Sequence, residues 1–177
     1  MILAWGKRVS SEFRVKVIEI SVELQIDPSW LMACMAFESG GTFRADIRNA
    51  AGSGATGLIQ FMPSTAQALG TTTNALAAMA PVEQLEYVRK YFLPSKGRLN
   101  NLDDVYMAIL WPAAIGRTSE YVLFDRADVK HPKRYMQNRG LDWNKDGKVT
   151  KAEAAAKVRA KLEQGLRVEN AFDTSIP

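Results

Sequence analysis

The sequence predicts a mainly α-helical domain followed by a short C-terminal extension. Three observations carry the prediction. Apolar residues recur at three- and four-residue spacing in several segments, the period of a helix buried on one face. Proline or an Asn/Asp cap stands where those segments begin, as at Asp27-Pro28, Pro63, Pro81 and Asn101, and these residues start helices. No sustained period-two alternation bounded by turn residues occurs, so long strands are not expected.

The first helix is expected over Ser10 to Gln25. Phe13, Val17, Ile20 and Leu24 form its stripe, with Arg14, Lys16, Glu19 and Glu23 between them. The next, Ser29 to Glu38, runs Trp30-Leu31-Met32-Ala33-Cys34-Met35-Ala36-Phe37 with no polar face, the mark of a helix buried on most sides. It ends at Ser39-Gly40-Gly41. From Arg44 to Gly57 the chain becomes a glycine-rich loop, where short extended pieces could form. Pro63-Ser64-Thr65 opens another helix, and Pro81 to Phe92 follows with Leu85, Val88 and Phe92 inward. Asn101 caps a helix carrying Val105, Tyr106, Ile109 and Leu110, which Pro112 stops. An alanine-rich helix is expected from Lys151 to Gln164.

Composition narrows the chemistry. The 177 residues hold 47% hydrophobic and 24% charged residues, ordinary for one folded domain. A single cysteine, Cys34, and a single histidine, His131, exclude a His/Cys zinc cluster and leave at most one pairing for nucleophilic catalysis. His131, beside a proline, reads as a surface residue. An enzyme with this composition works with carboxylates. The net charge of +4 favours polyanions in general, but no basic run or RNA-binding signature singles out nucleic acid. No apolar stretch approaches the roughly 18 residues that span a bilayer. The apolar start Met1 to Trp5 is cut off by Gly6-Lys7-Arg8, so no export signal is expected.

Against that background Glu38 stands out. It is the sole charge between Asp27 and Arg44, and it sits at the C-terminal end of the most hydrophobic helix. A carboxylate there faces the negative end of the helix dipole, and apolar surroundings raise its pKa. A carboxylic acid still protonated near neutrality is what general-acid cleavage of a glycosidic bond requires. Downstream, Gln60 is a lone amide in an apolar run and must find backbone or ligand partners.

The segments Phe37-Glu38-Ser39-Gly40-Gly41 and Gly54-Ala55-Thr56-Gly57-Leu58-Ile59-Gln60-Phe61-Met62-Pro63 resemble the catalytic motif of the soluble lytic transglycosylase family. The resemblance is specific from Asp27 to Leu69 and weaker as far as Gly116. It implies a lysozyme-like helical fold, a catalytic domain over residues 1–130, and peptidoglycan as substrate. It assigns the catalytic acid to Glu38 and substrate contacts to Ser39, Gln60 and Met62. Two departures stand out. The serine that relatives carry ahead of the Gly-Ala-x-Gly run is Ala51 here, with Ser53 shifted. The relatives' Ala-Tyr-Asn-x-Gly stretch is replaced by Ile109-Leu110-Trp111-Pro112-Ala113-Ala114-Ile115-Gly116, so Trp111 stands where that wall is expected, with Tyr106 and Tyr121 as alternative sources of a hydroxyl.

A sugar hydrolase uses two carboxylates about 5 to 9.5 Å apart, whereas the resemblance implies one, acting as acid and then as base. Asp46, the other carboxylate of the motif region, lies between Arg44 and Arg48 and reads as a surface ion pair. The expected reaction is therefore lytic transglycosylation of the MurNAc–GlcNAc bond. A murein endopeptidase or a hydrolytic muramidase on the same scaffold is the near alternative, and a non-catalytic wall-binding virion module the further one. The size and the missing export signal resemble phage lysis or virion-associated proteins acting in the periplasm or cell wall. A monomer without stable membrane insertion is expected.

The extension, residues 131–177, carries Asp142-Trp143-Asn144-Lys145-Asp146-Gly147-Lys148-Val149-Thr150-Lys151-Ala152-Glu153. This matches the twelve-residue EF-hand loop at each diagnostic place. Asp142, Asn144 and Asp146 supply side-chain oxygens, Lys148 a backbone carbonyl, Thr150 a hydroxyl or a bound water, and Glu153 a bidentate carboxylate. Gly147 takes the sharp turn. Calcium in a single structural site is the expectation, and no cofactor is expected for catalysis.

Overall fold

The computed structural model describes residues 1–175 and is mainly helical, as the sequence predicts. Helix α1 spans Ser11–Leu24 and α2 spans Pro28–Glu38, while α3 (Pro63–Ala68), α4 (Thr73–Ala78) and α5 (Pro81–Phe92) follow the glycine loop. Helix α6 is Leu102–Leu110, α7 is Pro132–Asn138 and α8 is Lys151–Gly165. Their starts are chemically determined. Ser10, Asp27, Thr72, Asn101 and Thr150 each accept a hydrogen bond from a backbone N–H of the following first turn, satisfying donors a helix otherwise leaves orphaned.

Helix α2 lies at the centre. Leu31 through Ala36 are wholly buried, because α1, α6 and α8 all pack against it. Helix α8 brings the narrow stripe Ala154, Ala155 and Val158 to α2 and α6. The first strand of the chain pairs with the last described one. Strand β1 (Ile2–Leu3) pairs antiparallel with β4 (Phe172–Asp173), and Trp5 donates from Nε1 to the Lys161 carbonyl at 2.8 Å. A Cβ at Gly165 would stand 2.3 Å from the Trp5 ring, so only glycine lets this chain crossing form.

A second ribbon joins β2 (Val122–Asp125) to β3 (Lys148–Thr150), antiparallel with an irregularity between Val122 and Phe124. These strands are too short to leave an alternation in the sequence. In the glycine loop the extended pieces reduce to isolated bridges, Arg48 with Thr56 and Thr56 with Phe61. Where β3 meets α8, Lys151 is 3% exposed and donates from Nζ to Asp104 Oδ1 of α6 at 2.6 Å. That buried ion pair ties the extension to the helical body.

Candidate active site

Helix α2 runs as an apolar rod to its last residue, Glu38. There Ser39 turns the chain: its N–H donates to the Met35 carbonyl at 2.9 Å, and its buried hydroxyl accepts from the Phe43 N–H at 3.0 Å. Gly40 and Gly41 follow with φ of +64 and +79. Ser39 is therefore committed to ending the helix, and its hydroxyl holds the backbone that carries the acid.

Glu38 is half-buried, and among the described residues no ion pair reaches its carboxylate. Burial raises its pKa from 4.5 to about 7. Burial is the whole cause, with no contribution from a neighbouring carboxylate. Three groups respond to its charge. Burial first, and then Glu38, push up the Cys34 thiol and the hydroxyls of Tyr91 and Tyr106. The surroundings of the acid are thus a thiol one turn back on α2 and two phenols from α5 and α6.

Tyr106 packs edge-on against Phe37 with ring centroids 5.5 Å apart. The Tyr91 hydroxyl donates to the Ala108 carbonyl at 2.7 Å, and its ring stands edge-on to Phe61. A small cavity of about 70 Å³ is lined by Ile59, Gln60, Phe61, Met62, Tyr91 and Ile109. It brings the motif residues Gln60 and Met62 to the same α5 tyrosine that feels Glu38. Gln60 has φ of +53, and its Nε2 donates to the carbonyls of Gly57 and Ile47 at 3.1 and 3.3 Å. Its amide thus shapes the loop first. Met62, 44% exposed, leaves its side chain available to a ligand.

Gln84 is the loop's organiser, and the sequence did not mark it. Fully buried on α5, it accepts the Leu58 N–H at 2.7 Å and donates to the carbonyls of Leu76 and Ala45 at 2.9 and 3.1 Å. Gly57, at φ +83, passes so close that a Cβ there would lie 2.3 Å from Gln84 Oε1. Gly57→Ala is expected to combine left-handed strain with a clash against this buried amide. The cost is about 2 to 4 kcal/mol and a Tm lower by roughly 5 to 15 °C. An unchanged melting curve would mean that Gln84 can leave the loop freely.

The remaining candidate residues are spread more widely. Ser53 lies exposed in the loop, its hydroxyl accepting from the Ala55 N–H at 3.3 Å. Asp46 is held by Arg44 through two hydrogen bonds of 2.9 and 2.7 Å at the surface. Trp111 caps α6, half-buried, with its ring edge-on to Phe124 at 5.3 Å and the Arg134 guanidinium 5.1 Å from its centroid. Tyr121 stands beside Arg117, and its carbonyl accepts the Lys151 N–H. Of the aromatic candidates to stand near the acid, Tyr106 is the one whose hydroxyl responds to Glu38; Tyr91, unmarked by any motif, is the other. Asp142 and Glu153 are buried, while Asn144, Asp146 and Lys148 are exposed. Among the described residues no three His, Cys, Asp or Glu side chains stand together closely enough to hold a metal ion. No described helix is long and apolar enough to cross a membrane.

A half-buried carboxylic acid with a raised pKa, presented by a central apolar helix beside a glycine-rich loop, is equipped for general-acid chemistry on a ligand lying along that loop. A family model described as the transglycosylase SLT domain matches residues 16–110, more than half of the chain. The chain belongs to that family of peptidoglycan-degrading lytic transglycosylases. The match runs from within α1 to the end of α6, so it includes Glu38, Gln60, Met62, Tyr91 and Tyr106, and stops one residue before Trp111. No curated protein matches the chain.

Proposed function

We propose that the protein cleaves the MurNAc–GlcNAc glycosidic bond of peptidoglycan without water, with Glu38 as the only catalytic carboxylate. The observation that carries this reading is that the motif region presents one half-buried carboxyl, Glu38. A hydrolase would hold a second carboxylate about 5 to 9.5 Å away. Asp46, the other carboxylate of the motif region, is occupied by Arg44 at the surface.

In this mechanism protonated Glu38 gives its proton to the glycosidic oxygen as the bond to the MurNAc anomeric carbon breaks. The substrate's own N-acetyl oxygen stabilises the cationic carbon. Glu38, now a carboxylate, takes the proton of the C6 hydroxyl as that oxygen bonds to the anomeric carbon and closes a 1,6-anhydro ring. The low-dielectric surroundings that raise its pKa serve the first step, and the same group is regenerated in the second. Gln60, Met62 and Trp111 bound the groove for the glycan in this reading, and Ser39 holds the helix end. Ser53 and Tyr121 are outer contacts. The enzyme works at the cell wall, in the setting of phage lysis or virion entry.

Mass spectrometry of fragments released from purified peptidoglycan tests the reading. Anhydro-muramic ends, lost in Glu38→Gln, are the expected products. Free reducing ends would make it a muramidase with a second catalytic group, and intact glycan with cut cross-links an endopeptidase. No released fragment from the native chain would leave a wall-binding module.

A further inference from the structure

The Asp142–Glu153 loop takes no part in the glycan chemistry, and its two ends carry an electrostatic imbalance. Asp142 and Glu153 are each 6% exposed. Asp142 Oδ2 accepts from the Tyr135 hydroxyl at 2.6 Å and the Gly147 N–H at 3.0 Å. Glu153 Oε2 accepts from the Thr150 N–H at 2.9 Å and the Thr150 hydroxyl at 2.8 Å. The second oxygen of each, Asp142 Oδ1 and Glu153 Oε1, is buried with no hydrogen-bond partner. Among the described residues, no ion pair reaches Asp142, Asp146 or Glu153. Buried carboxylate oxygens without a donor are costly, and here the two such carboxylates begin and end one twelve-residue segment.

We infer that this segment is a calcium-binding loop in which Asp142 and Glu153 are the pre-placed anionic ligands. The backbone between them is already wound for it. Lys145 and Gly147 take left-handed φ of +61 and +92, the turns that bend the chain between the two buried carboxylates. Asn144 Oδ1 accepts the Asp146 N–H at 2.9 Å, and Asp146 Oδ1 accepts the Lys148 N–H at 2.8 Å. Both side chains are exposed, and Asn144 Nδ2 also donates to Asp146 Oδ2 at 3.3 Å. Binding would exchange these bonds for the ion, drawing Asp146 and Asn144 in, while Lys148 contributes its carbonyl. An all-oxygen set that completes itself by side-chain rotation suits calcium, which tolerates irregular coordination, over magnesium, which demands near-octahedral geometry.

The consequence reaches the catalytic half of the molecule. Val149, fully buried in the loop, pairs with Phe124 across the β2–β3 ribbon, and Phe124 stands edge-on to Trp111. An ion that fixes the loop therefore fixes the strand that backs Trp111. This last consequence rests on Trp111 bounding the glycan groove; the ion site does not.

Thermal unfolding of the whole chain, stripped with chelator and titrated with calcium chloride, tests the site without reference to activity. At calcium a hundredfold above the dissociation constant, Tm is expected to rise by roughly 5 to 10 °C. Asp142→Asn and Glu153→Gln, which keep the shapes of both side chains, are expected to lose the rise. Equal Tm in calcium and in chelator, or a rise retained in both variants, overturns the proposal. A second measurement uses terbium(III), a luminescent ion of calcium-like size and oxygen preference. Trp143, the second residue of the loop and 73% exposed, is expected to sensitise bound terbium. With excitation confined to the tryptophan band, where Tyr135 beside Asp142 does not absorb, the emission should fall sharply in Trp143→Phe, whose calcium-induced Tm rise should persist. Emission unchanged in Trp143→Phe places the ion elsewhere and overturns the assignment.

Discussion

Glu38→Gln is expected to lower kcat/KM on peptidoglycan by about 10³-fold or more while leaving the fold intact, since a positioned general acid contributes about 10² to 10⁴ and the proposed mechanism uses Glu38 again as base. The same substitution has a stability signature of defined sign. Burial raises the Glu38 pKa from 4.5 to about 7. Below pH 4.5 the carboxyl is protonated in both the folded and unfolded chain, and ionisation costs nothing. As pH rises toward 7, the unfolded chain ionises while the folded chain resists, so the stability contributed by the neutral acid is progressively lost. Above pH 7 the loss is complete, at most about 3 kcal/mol. Glutamine does not ionise. The variant should therefore match the native chain near pH 4 and melt several degrees higher at pH 8. Activity of the native enzyme should fall tenfold per pH unit above about 7, as the acid form of Glu38 disappears. A variant that keeps full activity, or whose Tm difference from the native chain is the same at pH 4 and pH 8, would remove Glu38 from the proposed role.

Glu38 was legible in the sequence as a candidate because its position is anomalous by itself: one charge at the end of a helix with no polar face. Local chemistry sufficed, and the same holds for the helix starts at Asp27 and Asn101, whose capping bonds form within a few residues. What the sequence hid depends on distant pairing. Tyr91 sits beside Phe92 on a helix whose core stripe is Leu85, Val88 and Phe92, so periodicity gives it no role. Its relation to Glu38 exists only because α5 and α6 converge near the end of α2, where its hydroxyl meets the Ala108 carbonyl. Gln84 likewise looks like an ordinary polar helix residue until the glycine loop delivers the Ala45 carbonyl and the Leu58 N–H to it. Strands β2 and β3 escaped detection because four and three residues are too few to show a period. The packing of α8 on α2 escaped for another reason: an alanine-rich stripe announces a close approach, but not the helix it approaches.

That packing makes Lys151→Met the other substitution with a large expected effect. Lys151 begins α8, and its ammonium donates to Asp104 Oδ1 at 2.6 Å and to the Arg117 carbonyl at 2.9 Å. Asp104 is 1% exposed and, among the described residues, accepts two further bonds, from the N–H groups of Gly116 at 2.9 Å and Asn100 at 3.3 Å. Removing the ammonium leaves an anion enclosed by α6 and α8 without its cation. Breaking a buried pair in this way costs about 3 to 5 kcal/mol, or a Tm lower by roughly 6 to 20 °C in a chain of this size. The attraction itself is offset by desolvation, so the double variant Asp104→Leu with Lys151→Met should recover most of the loss, minus the two amide bonds that Asp104 satisfied. Urea unfolding of the native chain, both single variants and the double variant closes the cycle. A Lys151→Met cost below about 1 kcal/mol would mean that water reaches Asp104. The junction would then be a surface contact, and α8 would be held on α2 by its Ala154, Ala155 and Val158 face alone.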